Sequence, residues 1–229
     1  MTIPLLLLPG LLCDARLWRD CVPPLASPRI ADLTLDDTVA AMARRALEQV
    51  EGVPRFAVAG LSMGGYVALE IWRQAAGRVS HFALLDTSAR ADSPEQTQRR
   101  LDLIALSQRG AFKGVTPRLL PSLVHPSRLG TPLAQEVMAM AERVGAAAFL
   151  RQQRAIMGRP DSRPDLPGIA VPALVACGAA DLLTPPHLHD EMAALIPGAR
   201  RLNFEGCGHL PPMEAPSSVA AALGQWLTA

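Results

Sequence analysis

A chain of 229 residues, 49% of them apolar, fits one domain with a sizeable core and room for an inserted subdomain. Its 22 Lys and Arg against 21 Asp and Glu leave a net charge of +1, which gives no electrostatic reason to expect nucleic acid or an anionic membrane as partner. Cys13, Cys21, Cys177 and Cys207 are scattered and lack C-x-x-C spacing, so they read as free thiols and not as staples or a cysteine nucleophile.

Ile3 to Leu8 predicts a buried strand that ends in the turn Pro9-Gly10-Leu11-Leu12. No basic residue precedes this run and no small-x-small site follows it, which argues for a strand over a secretory leader. No apolar run approaches the ~20 residues of a membrane span, so a cytoplasmic location is the expectation. Ala15 to Leu25 predicts a short helix and Arg29 to Leu33 a weak strand. Asp36 to Val50 predicts a longer helix, with Val39, Met42, Ala43, Ala46, Leu47 and Val50 at helical spacing, and Gly52-Val53-Pro54 ends it. Strand and helix alternate, as in a parallel sheet.

The next stretch, Phe56-Ala-Val-Ala-Gly-Leu-Ser-Met-Gly-Gly65, reads as a short apolar strand turning through G-x-S-x-G into a helix that runs to Gln74. A G-x-S-x-G arises by chance in about one such chain in twenty. The strand before it and the apolar face of Val67, Ile71 and Trp72 after it set this one apart. In such a nucleophile elbow the serine, here Ser62, stands at the tip of a turn so tight that Gly60 and Gly64 leave room only for hydrogen.

His81 to Leu85 predicts another buried strand, ending in Asp86-Thr87-Ser88. From Arg90 to Gly168 the pattern holds no strand, only helices broken by Pro117, Pro121, Pro126, Pro132 and Pro160, which predicts an all-helical insertion. Alternation then resumes: a strand over Ala173 to Cys177, a helix from Pro186 to Leu195, a strand over Arg200 to Phe204, and a helix from Pro216 to Leu227. Each of the two strands ends in a polar loop, one carrying Asp181 and the next His209. In open α/β sheets ligands bind at such carboxyl-edge loops.

A serine hydroxyl needs a base within hydrogen-bond reach and a group that orients the base. His209, between Gly206 and Gly208 on one side and Leu210 on the other, is the best-placed base, and Asp181 the best-placed acid, in the chain order Ser, Asp, His expected of this elbow. Asp86, which ends the preceding strand, is the rival acid. The backbone N–H of Met63 at the start of the elbow helix and that of Leu11 in the first turn are the candidate oxyanion donors. His187 and His189 stand two apart on a helix, face opposite ways and argue against a metal pair. No dinucleotide or phosphate fingerprint is present, and no cofactor is expected.

With these residues in place the chain resembles the α/β-hydrolase superfamily over nearly its whole length. Leu-Leu-Pro-Gly-Leu-Leu at 7–12 with Trp18 is similar to the family's oxyanion loop, and Gly60-Leu-Ser-Met-Gly-Gly65 to its elbow. Val171 to Asp181 and Gly206-Cys-Gly-His-Leu-Pro-Pro-Met-Glu-Ala-Pro216 resemble its acid and histidine segments. Pro9 stands where the family usually has histidine, Leu12 where a small residue is common, and the family's first hairpin is missing. The resemblance implies a mostly parallel sheet of about six strands with helices on both faces, a core of residues 1–89 and 169–229, and a helical cap over residues 90–168. It is nearest to small esterases, enol-lactonases and carbon–carbon bond hydrolases, and it implies hydrolysis of an ester-like bond (ester, lactone or thioester) in a small acyl substrate by a monomer or homodimer. Lyase or perhydrolase chemistry on the same triad, and a slow or inert ligand receptor, stay open at this point.

The cap should roof the pocket, with Leu103, Leu106, Phe112, Leu119, Met138, Met140, Phe149 and Met157 as candidate lining and Leu12 below them. Residues 90–168 hold twelve Lys or Arg against seven acids, a net of +5. An anionic substrate would suit that balance, with Arg151 and Arg154 as the expected contacts.

Overall fold

Six short strands line up side by side in the computed structural model, which describes residues 2–24 and 26–229. The strands are β1 (Ile3–Leu8), β2 (Ala26–Ile30), β3 (Phe56–Leu61), β4 (Val79–Leu85), β5 (Ala173–Gly178) and β6 (Arg200–Phe204), ordered β2-β1-β3-β4-β5-β6. Every pairing is parallel. Parallel strands need crossovers, and the crossovers place helices on both faces, so the central strands β3 and β5 are buried throughout while the edge strands β2 and β6 stay largely open to solvent. Leu6, Leu8, Val58, Phe82, Leu84 and Val175 enter one core, and Leu5, Leu7, Ala57, Ala59, Ala83, Leu85, Leu174 and Ala176 enter the other. The period of two along each strand produces that division.

The first core is closed by α1 (Val39–Glu48), α2 (Met63–Ala75) and α6 (Pro186–Leu195). The N-terminus of α1 is capped by Thr38, whose hydroxyl oxygen accepts from the Ala41 N–H at 3.2 Å. The second core is closed by α8 (Pro216–Trp226), through Val219, Leu223 and Trp226, and by the buried Trp18. Between β4 and β5 the described chain forms no strand. It runs through α3 (Pro94–Leu106), a tight π turn, α4 (Leu120–Leu123) and α5 (Pro132–Met157) before a final 3-10 stretch. Gly145, at φ 78°, breaks α5, and its second half brings Phe149 and Gln152 to the end of β1. The short α7 (Pro211–Glu214) follows β6.

Two sequence expectations shift. The helix expected over Ala15 to Leu25 is a single 3-10 turn, Ala15–Leu17, because Trp18 and Cys21 are drawn into the core and Pro23-Pro24 stops any continuation; Leu25 lies outside the described residues. The weak strand sits at Ala26–Ile30 and not at 29–33, since Leu33 turns inward and is buried.

The chain order reverses at β1, whose neighbours are β2 on one side and β3 on the other. At this edge, three residues other than glycine adopt positive φ: Leu12 after β1 (59°), Ser62 after β3 (56°) and Asp86 after β4 (44°). Such strained backbone clusters at functional sites.

Candidate active site

The elbow is built by close approach. A Cβ on Gly60 would fall on the Gly64 carbonyl, and one on Gly64 would fall on the Leu8 carbonyl, so β3, α2 and the end of β1 touch through glycine alone. Ser62 is held between them at φ 56°, ψ −118°. Its N–H donates to the Leu85 carbonyl at 3.0 Å, and its carbonyl accepts from the Thr87 hydroxyl at 2.7 Å. Met63 follows as the first residue of α2, where a backbone N–H has no intrahelical acceptor.

The first turn lies against the elbow: a Cβ on Gly10 would stand 3.3 Å from Ser62 Cβ. The Leu12 N–H donates to Gln152 Oε1 at 3.1 Å, while Gln152 Nε2 donates to the Leu33 carbonyl at 3.1 Å. One fully buried amide from α5 therefore fixes the turn that follows β1 and lies against Ser62.

On the far side, Asp181 Oδ2 accepts from His209 Nδ1 at 2.8 Å and from the Thr184 hydroxyl at 2.6 Å. Its Oδ1 accepts from the N–H groups of Leu183 (2.9 Å) and Thr184 (3.1 Å). Burial alone would raise this carboxyl, but the charge and hydrogen bond of His209, with the donors of Thr184, hold it below the usual carboxylate range. The bond to Nδ1 leaves Nε2 as the free nitrogen of His209.

Glu214 anchors the histidine loop. Its Oε1 accepts from the N–H groups of Gly208 (2.9 Å) and Leu210 (3.2 Å), on either side of His209, and its Oε2 accepts from the His125 N–H at 2.7 Å. The His209 N–H itself donates to the Leu123 carbonyl at 2.9 Å. The helical segment thus grips the loop directly. Burial pushes the Glu214 carboxyl up, partly offset by these N–H donors.

Asp86, the rival acid, is fully buried, and its Oδ1 accepts from the Gly178 N–H at 2.8 Å. Asp86, Asp181 and His209 bring one potential ligand atom each to within 4.8 Å of one another. That grouping could geometrically hold a cation, yet both Asp181 oxygens already accept from protein donors. His187 is exposed while His189 is fully buried, on opposite faces of α6 as their spacing implies. All four thiols are buried and pushed up to about 12, chiefly by that burial, which keeps them out of thiolate chemistry near neutral pH.

A cavity of about 1090 Å³ opens over this edge and is lined by both Ser62 and His209. Gly10, Leu11 and Leu12 form part of its floor; Leu103, Leu106, Phe112, Leu119, Met140 and Phe149 contribute from the helical segment. Met138 and Met157 do not reach it, and neither do Arg151 and Arg154. Arg151 turns to the Thr34 carbonyl at 2.7 Å, and Arg154 is exposed on the outer face of α5. The cations that do line it are Arg90, Arg99, Arg100, Lys113, Arg159 and Arg163. Four pair with carboxylates: Arg90 with Glu191, Arg100 and Arg159 with the buried Asp92, and Arg163 with Asp161. Arg99 and Lys113 have no carboxylate partner among the described residues and are exposed to the cavity.

Gln152 and Thr87 carry no sequence signal of their own, because each acts through a partner far away in the chain, whereas Thr184 acts on Asp181 three residues before it. Glu214 does carry one, as part of the histidine segment.

Comparison with known proteins agrees with this architecture. Residues 5–222 match the model described as the alpha/beta hydrolase family. The chain is 27% identical over 169 residues to a pimeloyl-[acyl-carrier protein] methyl ester esterase of Neisseria meningitidis serogroup C, a match covering 72% of this chain and 66% of that relative, just under two thirds of its length. A thermophilic esterase from Thermogutta terrifontis superposes with a TM-score of 0.90 at 28% identity, over 100% of this chain and 90% of the other. The enol-lactonase from Burkholderia xenovorans LB400 shares the fold, with a TM-score of 0.85 at 24% identity over 100% of this chain and 92% of the other.

Proposed function

The chain belongs to the alpha/beta hydrolase family, and from that premise we propose that it is a serine hydrolase cleaving an ester-like bond of a small acyl substrate through Ser62, His209 and Asp181. The observation that carries this reading is the pairing at one cavity of a strained serine with a histidine already oriented by a buried carboxylate. Relatives named as esterases support the choice of bond.

In this reading Ser62 Oγ attacks the substrate carbonyl and passes its proton to His209 Nε2. Asp181 holds the Nδ1–H, keeps the imidazole in the tautomer that can accept that proton, and stabilises the imidazolium that forms. The N–H groups of Leu11 and Met63 receive the oxyanion; Met63 adds the positive end of the α2 dipole. His209 returns its proton to the leaving oxygen, and water activated by the same ring releases the acyl group from Ser62. No cofactor enters any step.

Residues 90–168 serve as a cap in this scheme, over a core of 1–89 and 169–229. The leucines and phenylalanines that they add to the cavity suit an apolar acyl or alcohol group. Arg99 and Lys113 take the place of Arg151 and Arg154 as the contacts for a negatively charged substituent.

The test is hydrolysis of p-nitrophenyl esters, lactones and thioesters by the wild type and by Ser62→Ala, with mass-spectrometric mapping of a fluorophosphonate adduct. Labelling at Ser62 and loss of turnover in a folded variant support the reading. Retained hydrolysis by folded Ser62→Ala overturns it, and tight ligand capture without turnover or labelling would favour a receptor.

A further inference from the structure

The corner that closes β4 touches both halves of the site. Leu85 accepts the Ser62 N–H, and the next residue, Asp86, donates its own N–H to the Ala176 carbonyl of β5 at 2.9 Å. Within two residues the chain passes from the elbow to the strand that leads to Asp181. The side chains follow the same division. The Thr87 hydroxyl holds the Ser62 carbonyl at 2.7 Å, and Asp86 Oδ1 holds the Gly178 N–H, at the start of the Asp181 loop, at 2.8 Å. The Thr87 N–H donates to Nε2 of the buried His189 at 2.9 Å, which pins the corner to α6. Asp86 is kept at φ 44° to do this, a left-handed backbone conformation that a residue with a Cβ adopts only under strain.

We propose that Asp86 and Thr87 are positioning residues that join the Ser62 elbow and the Asp181 loop into one rigid unit. The inference rests on the reading of Ser62 and Asp181 given above.

The chemistry of Asp86 follows from its surroundings. Two carboxyls this close in a buried site do not both ionise. Asp181 accepts from four donors and Asp86 from one, so the negative charge settles on Asp181 and the proton on Asp86. Asp86 Oδ2, which has no partner among the described residues, is the oxygen left to carry it. Burial, then the neighbouring Asp181 charge, push the Asp86 carboxyl well above the usual range, so that it stands neutral beside the charged Asp181. The other titratable or charged groups facing this corner are His209, Glu214, His189, Cys177, Cys207 and Arg201. Asp86 therefore braces the orienting acid without adding a second negative charge beside the histidine.

The experiment is a set of steady-state pH profiles on an activated ester for Thr87→Val, Thr87→Ser, Asp86→Ala and Asp86→Asn. Thr87→Val should lower kcat about tenfold or more with KM within about twofold, and Thr87→Ser should restore most of it, since small displacements of a reacting group cost rate and not binding. Asp86→Ala should lower kcat similarly and move the acid limb of the profile, while Asp86→Asn, which keeps an acceptor for the Gly178 N–H and adds no charge beside Asp181, should recover to within about threefold of wild type. A merely structural role would lower Tm and leave the acid limb in place. If Asp86→Ala does not fold, the asparagine variant decides: a loss as deep as that of Asp181→Asn makes Asp86 a charged orienting acid and overturns the proposal. Unchanged kcat in folded Thr87→Val overturns it as well. Wild-type labelling of Ser62 by a fluorophosphonate separates the two failures, because its absence refutes the serine mechanism and not the corner.

Discussion

His209 Nδ1 lies 2.8 Å from Asp181 Oδ2, in a pocket where both side chains are almost completely buried. The bond crosses from the loop after β5 to the loop after β6, neighbouring parallel strands whose carboxyl ends stand side by side. Asp181→Asn should preserve the fold and lower kcat by about 10³–10⁴-fold, because an amide can donate to Nδ1 and select the wrong tautomer. Stopped or steady-state kinetics beside circular dichroism check both halves.

Gly64→Ala tests the elbow's steric argument. The added methyl meets the Leu8 and Pro9 carbonyls, which belong to backbone and cannot swing aside. A loss of about 2–3 kcal/mol, read as a lower urea midpoint at unchanged slope, is expected together with loss of turnover. Wild-type stability in this variant would mean that β1 and α2 do not touch there.

Glu214→Gln probes the histidine loop. The carboxylate accepts three backbone N–H bonds, and an amide has only one oxygen to accept them, so at least one buried N–H loses its partner. We expect a cost of about 2–4 kcal/mol in denaturant melts and a lower kcat, with KM little changed.

His189 predicts a pH dependence of stability. Burial, and secondarily Arg201, lower its pKa from 6.5 to about 4 in the folded protein. Between these values the unfolded chain binds a proton that the folded one does not, so stability is complete above the unfolded value and is lost as pH falls towards 4. The shift corresponds to about 3 kcal/mol. His189→Gln, which can still accept from Thr87 but does not titrate, should flatten the stability profile across this window; an unchanged slope would remove His189 as its source.

Arg99→Ala with Lys113→Ala addresses the substrate. Exposed charge contacts contribute about 1 kcal/mol, so the double variant should raise KM about fivefold or more for esters bearing a carboxylate and leave neutral esters unaffected. Equal effects on both classes would argue against an anionic substituent.

Much of this protein can be read along the chain. β3, β5, α6 and the helical stretch between β4 and β5 follow from runs of apolar residues and from proline and glycine, which act within a few residues of themselves. The place of Ser62, Asp181 and His209 at one sheet edge is legible for a related reason: each follows a strand, and parallel strands bring their carboxyl ends to one edge whatever lies between them.

Only the tertiary structure decided how those ends are held and what stands above them. Gln152 fixing Leu12, Thr87 holding Ser62, and Asp86 beside Asp181 are contacts between residues 25 to 140 positions apart. The same holds for the cavity wall, where Arg99 and Lys113 face inward and Arg154 faces solvent. Composition predicts a basic helical segment; which of its cations reach the cavity depends on how α3 and α5 pack, and packing is set by the whole core at once.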